Sequence, residues 1–397
     1  MSEEVLVITD PDTDRYHTFS YISWWKQEVV RDATALVIGT GALGNEVLKN
    51  LTLMGIGHLV ICDFDTIEDG NLSRSVLFRA SDRGRRKVDA AAERIKELNP
   101  DVDVKTWHGD INFEMGLGVF RHVDVIIGCL DNREARVSIN RQAYSVGKPW
   151  VDGAIQELMG IVRVFSPHEG ACYECTLTDR DYQLINLRYS CPLLARENIL
   201  QGKVPTTPTS ASIVAAFQTQ EALKLLHEMD QQPGSAMMIN GLTNDVYNTI
   251  YPVKDGCMGH MAANGVVDVH ELPEVRHDET TLGDLLAIAR SHLGDDTVLE
   301  FAGERVTAMI CGTCGHEKPY FQKMARLSDA ELACTQPDCG GRNDMVLTHR
   351  ITGSEPFLAR TLAAFDVPPL DIVRAVNGER ELFLELTGDR AQFFTFR

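Results

Sequence analysis

The sequence lacks several things, and each shortage removes a class of function. No apolar run approaches the roughly 20 residues that a bilayer-spanning helix needs, and the first residues hold no basic stretch followed by an apolar one. Neither a membrane span nor a secretory leader is expected, and a cytoplasmic protein is the default. Positive charge is scarce: 38 Lys and Arg stand against 57 Asp and Glu in 397 residues, a net charge of −19. A surface of that sign repels phosphate backbones and anionic headgroups, which argues against nucleic acid or a membrane as partner. It also makes any local group of Arg and Lys informative. No internal repeat appears and no segment is low in complexity. The length suits one large α/β domain and a smaller one.

What is present concentrates first between residues 35 and 75. An apolar run at 35–38 enters Gly39-x-Gly41-x-x-Gly44, an amphipathic helix follows, and a second apolar run at 58–61 leads to Asp63. This is the βαβ opening of a nucleotide-binding sheet. Gly39 allows the tight turn, and Gly41 lets backbone amides approach a phosphate at the helix start, Ala42 and Leu43. Gly44 lets the helix pack closely on the strand, with its N-terminus facing the anion. Asp63, with Asp65 beside it, stands where a carboxylate would hold ribose hydroxyls. Such a turn does not by itself separate hydride transfer from adenylate chemistry.

The separation comes from Asn71-x-x-Arg74, then Lys87, then Asp131-Asn132 after the apolar run 123–127. A carboxylate that attacks the α-phosphate of ATP approaches a highly anionic centre, so phosphate charge must be offset. Arg74 and Lys87 suit the triphosphate, Asp131 suits Mg²⁺, and Asn71 would add a neutral hydrogen bond. The bland reading makes both cations ordinary surface residues and Asp131 a cap for the helix that begins near Asn132. In this order after one Gly-rich turn, the set resembles the adenylating enzymes of the ubiquitin E1, MoeB and ThiF superfamily. A dehydrogenase has no use for it.

The resemblance extends over residues 34–264. It implies a Rossmann-like, doubly wound, mostly parallel sheet that binds ATP and Mg²⁺. It further implies a homodimer and a ubiquitin-like substrate protein ending in glycine. Family members commonly begin with Arg-Tyr-x-Arg, whose last arginine reaches the neighbouring protomer's ATP site. Here the segment reads Arg15-Tyr16-His17-Thr18, so either Arg15 substitutes or the arm serves the dimer interface only. Residues 15–31, within an N-terminal segment 1–33, read as a helical arm. Its Phe19, Ile22, Trp24 and Trp25 are expected to pack on a partner protomer or on the core.

Ten cysteines in a reducing compartment read as metal ligands and a reactive thiol rather than as disulfides. Cys172-x-x-Cys175 and Cys257-x-x-His260 can close one tetrahedral zinc site; many relatives have Cys-x-x-Cys at both places. Cys311-x-x-Cys314 with Cys334 and Cys339 suits a second, a ribbon or knuckle, with His316 an alternative ligand. Cys62 and Cys129 lie on apolar strands and read as structural. Cys191 remains, in Tyr189-Ser190-Cys191-Pro192, placed much as the thioester-forming cysteine of E1 enzymes. A thiolate there would displace AMP from the adenylate. A buried structural cysteine is the competing reading.

The coarse pattern predicts helices at 88–98, 134–146 and 211–229, and strands at 103–108, 123–129 and 149–151. A single strand is expected at 155–165 and irregular chain from Cys172 to residue 204. Beyond a boundary near 262–265 come a capped helix at 281–293, a hairpin at 297–310 turning at Ala302-Gly303, and a β-rich run at 381–386. That order is similar to a ubiquitin-like β-grasp with a zinc insertion, and a region 265–397 of this kind would suit docking of an E2-like carrier. The leading functional reading is E1-like activation of a ubiquitin-like protein through an adenylate and then a thioester. Activation of a sulfur-carrier protein for thiocarboxylate formation is the alternative. An NAD-dependent oxidoreductase and a catalytically silent binding subunit are the rivals from other classes.

Overall fold

The computed structural model describes residues 14–167, 169–190, 206–261 and 268–394. In chain order its elements begin with α1 (Gln27–Asp32), β1 (Thr34–Ile38), α2 (Ala42–Met54), β2 (His58–Cys62), α3 (Lys87–Leu98) and β3 (Asp103–Trp107). Next come α4 (Leu117–Arg121), β4 (Val125–Gly128), α5 (Arg133–Ser145), β5 (Trp150–Gln156), β6 (Met159–Phe165) and α6 (Asp179–Ser190). The first sheet is completed by α7 (Pro208–Leu226), β7 (Ser235–Asn240), β8 (Asp245–Ile250) and α8 (Met258–Met261). Its order is β3-β2-β1-β4-β5-β6-β7-β8. Pairings from β3 through β5 are parallel, and those from β5 through β8 are antiparallel.

Alternation along β1 shows how the sheet is covered on both sides. Ala35 and Val37 join a core with α2, α3 and α7, whereas Leu36 and Ile38 join a second core with α4 and α5. Strands buried on both faces need near-continuous apolar sequence, which is what β1, β2 and β4 carry.

A second sheet holds β9 (Val269–Glu271), β10 (Val298–Cys311), β11 (Glu317–Lys323), β12 (Asn343–Ile351), β13 (Ile372–Asn377) and β14 (Arg380–Glu385). Its order is β11-β10-β13-β14-β9, with β12 also on β10. Helix α9 (Leu282–Leu293) packs across it through Leu282, Leu285, Leu286 and Ala289. Thr281 and Asp284 close its first turn as a reciprocal capping box, each accepting the other's backbone N–H at 3.1 Å. Leu370 and Phe393 join the core beneath α4 and α5, so the two sheets share packing.

Four expectations change. The single strand at 155–165 is a hairpin, β5 and β6, turning at Glu157-Leu158 with Glu157 at φ 54°. The expected hairpin at 297–310 is one strand, β10. Its register shifts between Glu300 and Arg305 because Ala302 and Gly303 bulge out, and buried Arg305 binds both their carbonyls (3.1 and 3.0 Å). The β-grasp comparison loses the hairpin on which it rested. Part of the irregular stretch after Cys172 is α6, which starts where Asp181 N donates to Thr178 Oγ1 and Thr178 N to Asp181 Oδ2. The helical arm is a 3₁₀ turn, His17–Tyr21, plus α1; Trp25 packs on the core, and Trp24 and Trp25 flank His227. Among the described residues no helix is long and apolar enough to cross a membrane.

Candidate nucleotide and metal sites

The three glycines divide their work. A Cβ on Gly39 would lie 2.4 Å from Cys129 O, and one on Gly44 would lie 1.9 Å from Gly39 O. Both are packing requirements, and Gly39 also needs its φ of +92°. Among the described residues, no heavy atom lies within 4 Å of the Cβ position of Gly41, so its side opens outward. Gly41 is the N-cap of the 13-residue α2, and among the described residues no side chain caps the first-turn amides. An uncapped helix start behind an open glycine is suited to an anion.

Asp63 braces this loop from β2. Its Oδ2 accepts from Thr40 N (2.7 Å) and Thr40 Oγ1 (2.9 Å), and its Oδ1 accepts from Asp65 N (2.8 Å). A carboxylate offers about four acceptor positions, so capacity remains for ribose hydroxyls. Lys87 opens α3 with its side chain 9% exposed and Nζ 2.6 Å from Asp65 Oδ2. That burial excludes the surface-cation reading for Lys87. Arg74 is half-buried and donates to Gly70 O (2.7 Å), while Asn71 Oδ1 accepts from Glu68 N (2.9 Å) and closes the same turn. Asn132, not Asp131, caps α5, accepting from Ala135 N at 2.8 Å. Asp131 is thereby left exposed, just past the C-terminal end of β4.

The Gly loop, Asp63, Asp65 and Asp131 thus gather at the carboxyl ends of β1, β2 and β4, where open α/β sheets bind ligands. Arg15 is not brought there. It donates to Leu98 O (3.2 Å) at the opposite edge of the sheet, before β3 begins. Cys191 lies outside the described residues. Cys62 and Cys129 are buried in the core, and burial pushes both thiols up, as expected of structural cysteines.

Sequence reasoning missed a buried ionic triad beside this edge. Asp152 is fully buried on β5, accepting from Arg136 Nε and from Arg163 Nε at 2.8 Å each. Burial alone would raise the Asp152 carboxyl, but the two guanidiniums outweigh it and hold the carboxyl below its usual range. Arg136 also bonds the carbonyls of Leu130 and Gly153, fixing the backbone that leads into Asp131. Arg163 stacks over Tyr173 at 5.1 Å, next to Cys172. The available signal was a lone charge inside the apolar run of β5.

Both cysteine sets converge. Cys172 Sγ lies 3.9 Å from Cys175 Sγ and 3.6 Å from Cys257 Sγ, and Cys175 Sγ lies 3.8 Å from His260 Nδ1. Four ligands at 2.3 Å around a tetrahedral ion stand about 3.8 Å apart, so the set fits zinc. In the second sheet, Cys311 and Cys339 sulfurs are 3.6 Å apart and those of Cys314 and Cys334 are 3.8 Å apart. Backbone amides of Thr313 and Gln336 point at the sulfurs of Cys311 and Cys334. In each set all four ligand atoms lie within 4.8 Å of one another, and His316 is in neither.

The comparisons agree with this geometry. The profile of the ThiF family matches residues 14–257. "Ubiquitin-like modifier-activating enzyme 5" of Dictyostelium discoideum is 33% identical over 213 residues, covering 50% of this chain and 54% of the relative. The enzyme of the same name from Oryza sativa subsp. japonica is 31% identical over 219 residues, covering 51% and 50%. The chain spans about half the length of the curated relatives it matches. Among solved structures, E. coli MccB with ATP aligns at TM-score 0.53 and 19% identity, over 64% of this chain and 75% of that one, a likeness of fold. With more than half of its length matched by that one profile, the chain belongs to the ThiF family.

Proposed function

We propose that the chain uses ATP to activate the C-terminal carboxylate of a ubiquitin-like protein. The observation that carries this reading is the open, uncapped start of α2, set against Asp63 and buried Lys87 in a chain of the ThiF family. First-turn amides of α2, Lys87 and Arg74 offset phosphate charge, Asp63 holds the ribose, and Asn71 adds a hydrogen bond. Asp131 would hold Mg²⁺, which neutralises phosphate charge. A substrate carboxylate oxygen bonds to the α-phosphorus as the bond to pyrophosphate breaks, leaving an acyl adenylate. A glycine terminus suits this site because a thin tail can thread into it.

In the second step the Cys191 thiolate attacks the acyl carbon and AMP departs, giving a thioester for transfer to an E2-like carrier. Two zinc ions bind, one per four-ligand set, and the first ties distant segments together. The chain works as a homodimer, with Arg15 on the arm at the interface, and divides at residues 33 and 264. The names of its relatives favour this route over sulfur-carrier activation.

Calorimetry with Mg·ATP and, separately, NAD⁺ tests the nucleotide class. Heat with Mg·ATP that falls at least tenfold in affinity in Lys87→Ala, and none with NAD⁺, is the expected result. Binding of NAD⁺ without ATP would move the chain to redox chemistry.

A further inference from the structure

The turn between β3 and α4 borders the nucleotide crevice. Asp63 N donates to Trp107 O (3.2 Å), and Cys62 Sγ lies 3.5 Å from Gly109 O. Burial, then Asp63, Asp110 and Glu114, push the Cys62 thiol up. Inside the turn, Glu114 Oε2 accepts from Asp110 N (2.7 Å), and the amides of Phe113 and Glu114 donate to Asp110 O (3.0 and 2.9 Å).

The same turn is gripped by the second sheet. Arg326 donates to Glu114 Oε1 at 3.0 Å and is itself held by Asp366 at 3.0 Å. Lys323 Nζ donates to Phe113 O (2.6 Å), and its backbone N–H is fixed on Asp366 Oδ2 (2.8 Å). Downstream, Leu117 N donates to Asp371 Oδ1 (3.1 Å) and Gly118 N to Leu370 O (2.9 Å). A Cβ on Gly116 would lie 2.3 Å from Pro369 O, and one on Gly118 would lie 2.4 Å from Glu385 Oε1. Both glycines are therefore needed for this contact.

From this geometry we infer that Arg326 and Lys323 are positioning residues for the nucleotide crevice. They act through Glu114 and Phe113 on the Asp110 turn, so the C-terminal sheet sets nucleotide affinity. The chain Asp366–Arg326–Glu114–Asp110 N is contiguous, and charge-assisted bonds of this kind are the strong ones. The inference rests on reading the crevice as an ATP site.

Calorimetry with Mg·ATP on the full chain, paired with amide hydrogen exchange in the absence of nucleotide, tests it. Arg326→Gln with Lys323→Met is expected to weaken Mg·ATP about tenfold, within the 5–150-fold range of typical couplings. Exchange should quicken at residues 63–66 and 108–118 while zinc content stays at the wild-type level. Gly118→Ala, which blocks the contact without removing a charge, should do the same, and Arg326→Lys should recover most of the affinity. Unchanged affinity and unchanged exchange in both altered forms would overturn the brace. A wild-type chain that binds no Mg·ATP, while Arg326→Gln still frees those amides, would sink the ATP reading and support the brace.

Discussion

The two four-ligand clusters are alike in chemistry and opposite in setting. Cys172, Cys175, Cys257 and His260 join segments on either side of α6, α7, β7 and β8, and Cys172 and Cys257 are buried. Cys311, Cys314, Cys334 and Cys339 close a short local excursion, and Cys314 is exposed. A cross-link restrains the unfolded chain more as the loop it closes lengthens, but only logarithmically. Loop length alone therefore does not separate the clusters. What separates them is what each is packed against. The first adjoins Tyr173, the Arg163–Asp152–Arg136 triad and the core under α5, whereas the second caps the end of a sheet.

The sharpest way to break that comparison is to remove one ligand from each. Cys257→Ser should strip one zinc per chain, lower the melting temperature by well over 10 °C or prevent folding, and abolish Mg·ATP binding. Metal analysis with thermal denaturation reads this. Next in size, Asp152→Asn leaves two guanidiniums buried without their counter-charge and should cost about 3–5 kcal/mol in denaturant unfolding. The Asp152 carboxyl is held below its ordinary value in the folded chain. Its contribution is thus complete above the unfolded pKa of about 3.9 and fades as pH falls through the folded value, so the gap between wild type and variant should narrow in acid.

Smaller effects fall on the second cluster. Cys334→Ser should remove the other zinc yet shift Mg·ATP affinity by less than twofold. The positioning pair lies at the far end of β11, where Lys323 pairs with Arg305 in the middle of β10, about 20 Å along that strand from Cys311. Backbone amides of Cys314 and then Thr313 hold the Cys311 thiol below its ordinary value, which favours the thiolate that zinc requires. The smallest change in stability belongs to Gly41→Ala, which meets nothing within 4 Å among the described residues. Its melting temperature should stay within 2 °C of wild type while Mg·ATP affinity drops several-fold. Gly44→Ala, aimed at Gly39 O, should fail on both counts.

How much of this was legible in the sequence follows from how local each signal is. The βαβ opening, the paired cysteines and the Thr281–Asp284 box are written in neighbouring residues, and they stand where the sequence put them. The β5–β6 turn was missed because Glu157-Leu158 carries none of the Asn-Gly chemistry that marks a two-residue hairpin. Gly303 misled in the other direction, since a positive φ serves a bulge as well as a turn. The Arg136–Asp152–Arg163 triad joins a helix and two strands, and the grip on the 109–118 turn joins both sheets. Neither has a spacing to read. Asp131 shows the converse case: which of two adjacent residues caps α5 is settled only by geometry, and Asn132 takes the role.

In the proposed reaction the chain passes an activated carboxylate to its own thiol. Intact mass of the chain, purified rapidly from its own host at mildly acidic pH and compared before and after dithiothreitol, tests it most directly. A thiol-labile adduct the size of a small protein, absent from Cys191→Ala, is the expected result. No such adduct, while the purified chain with ATP still forms a bound acyl adenylate with a small protein, would contradict the thioester step and favour sulfur-carrier activation.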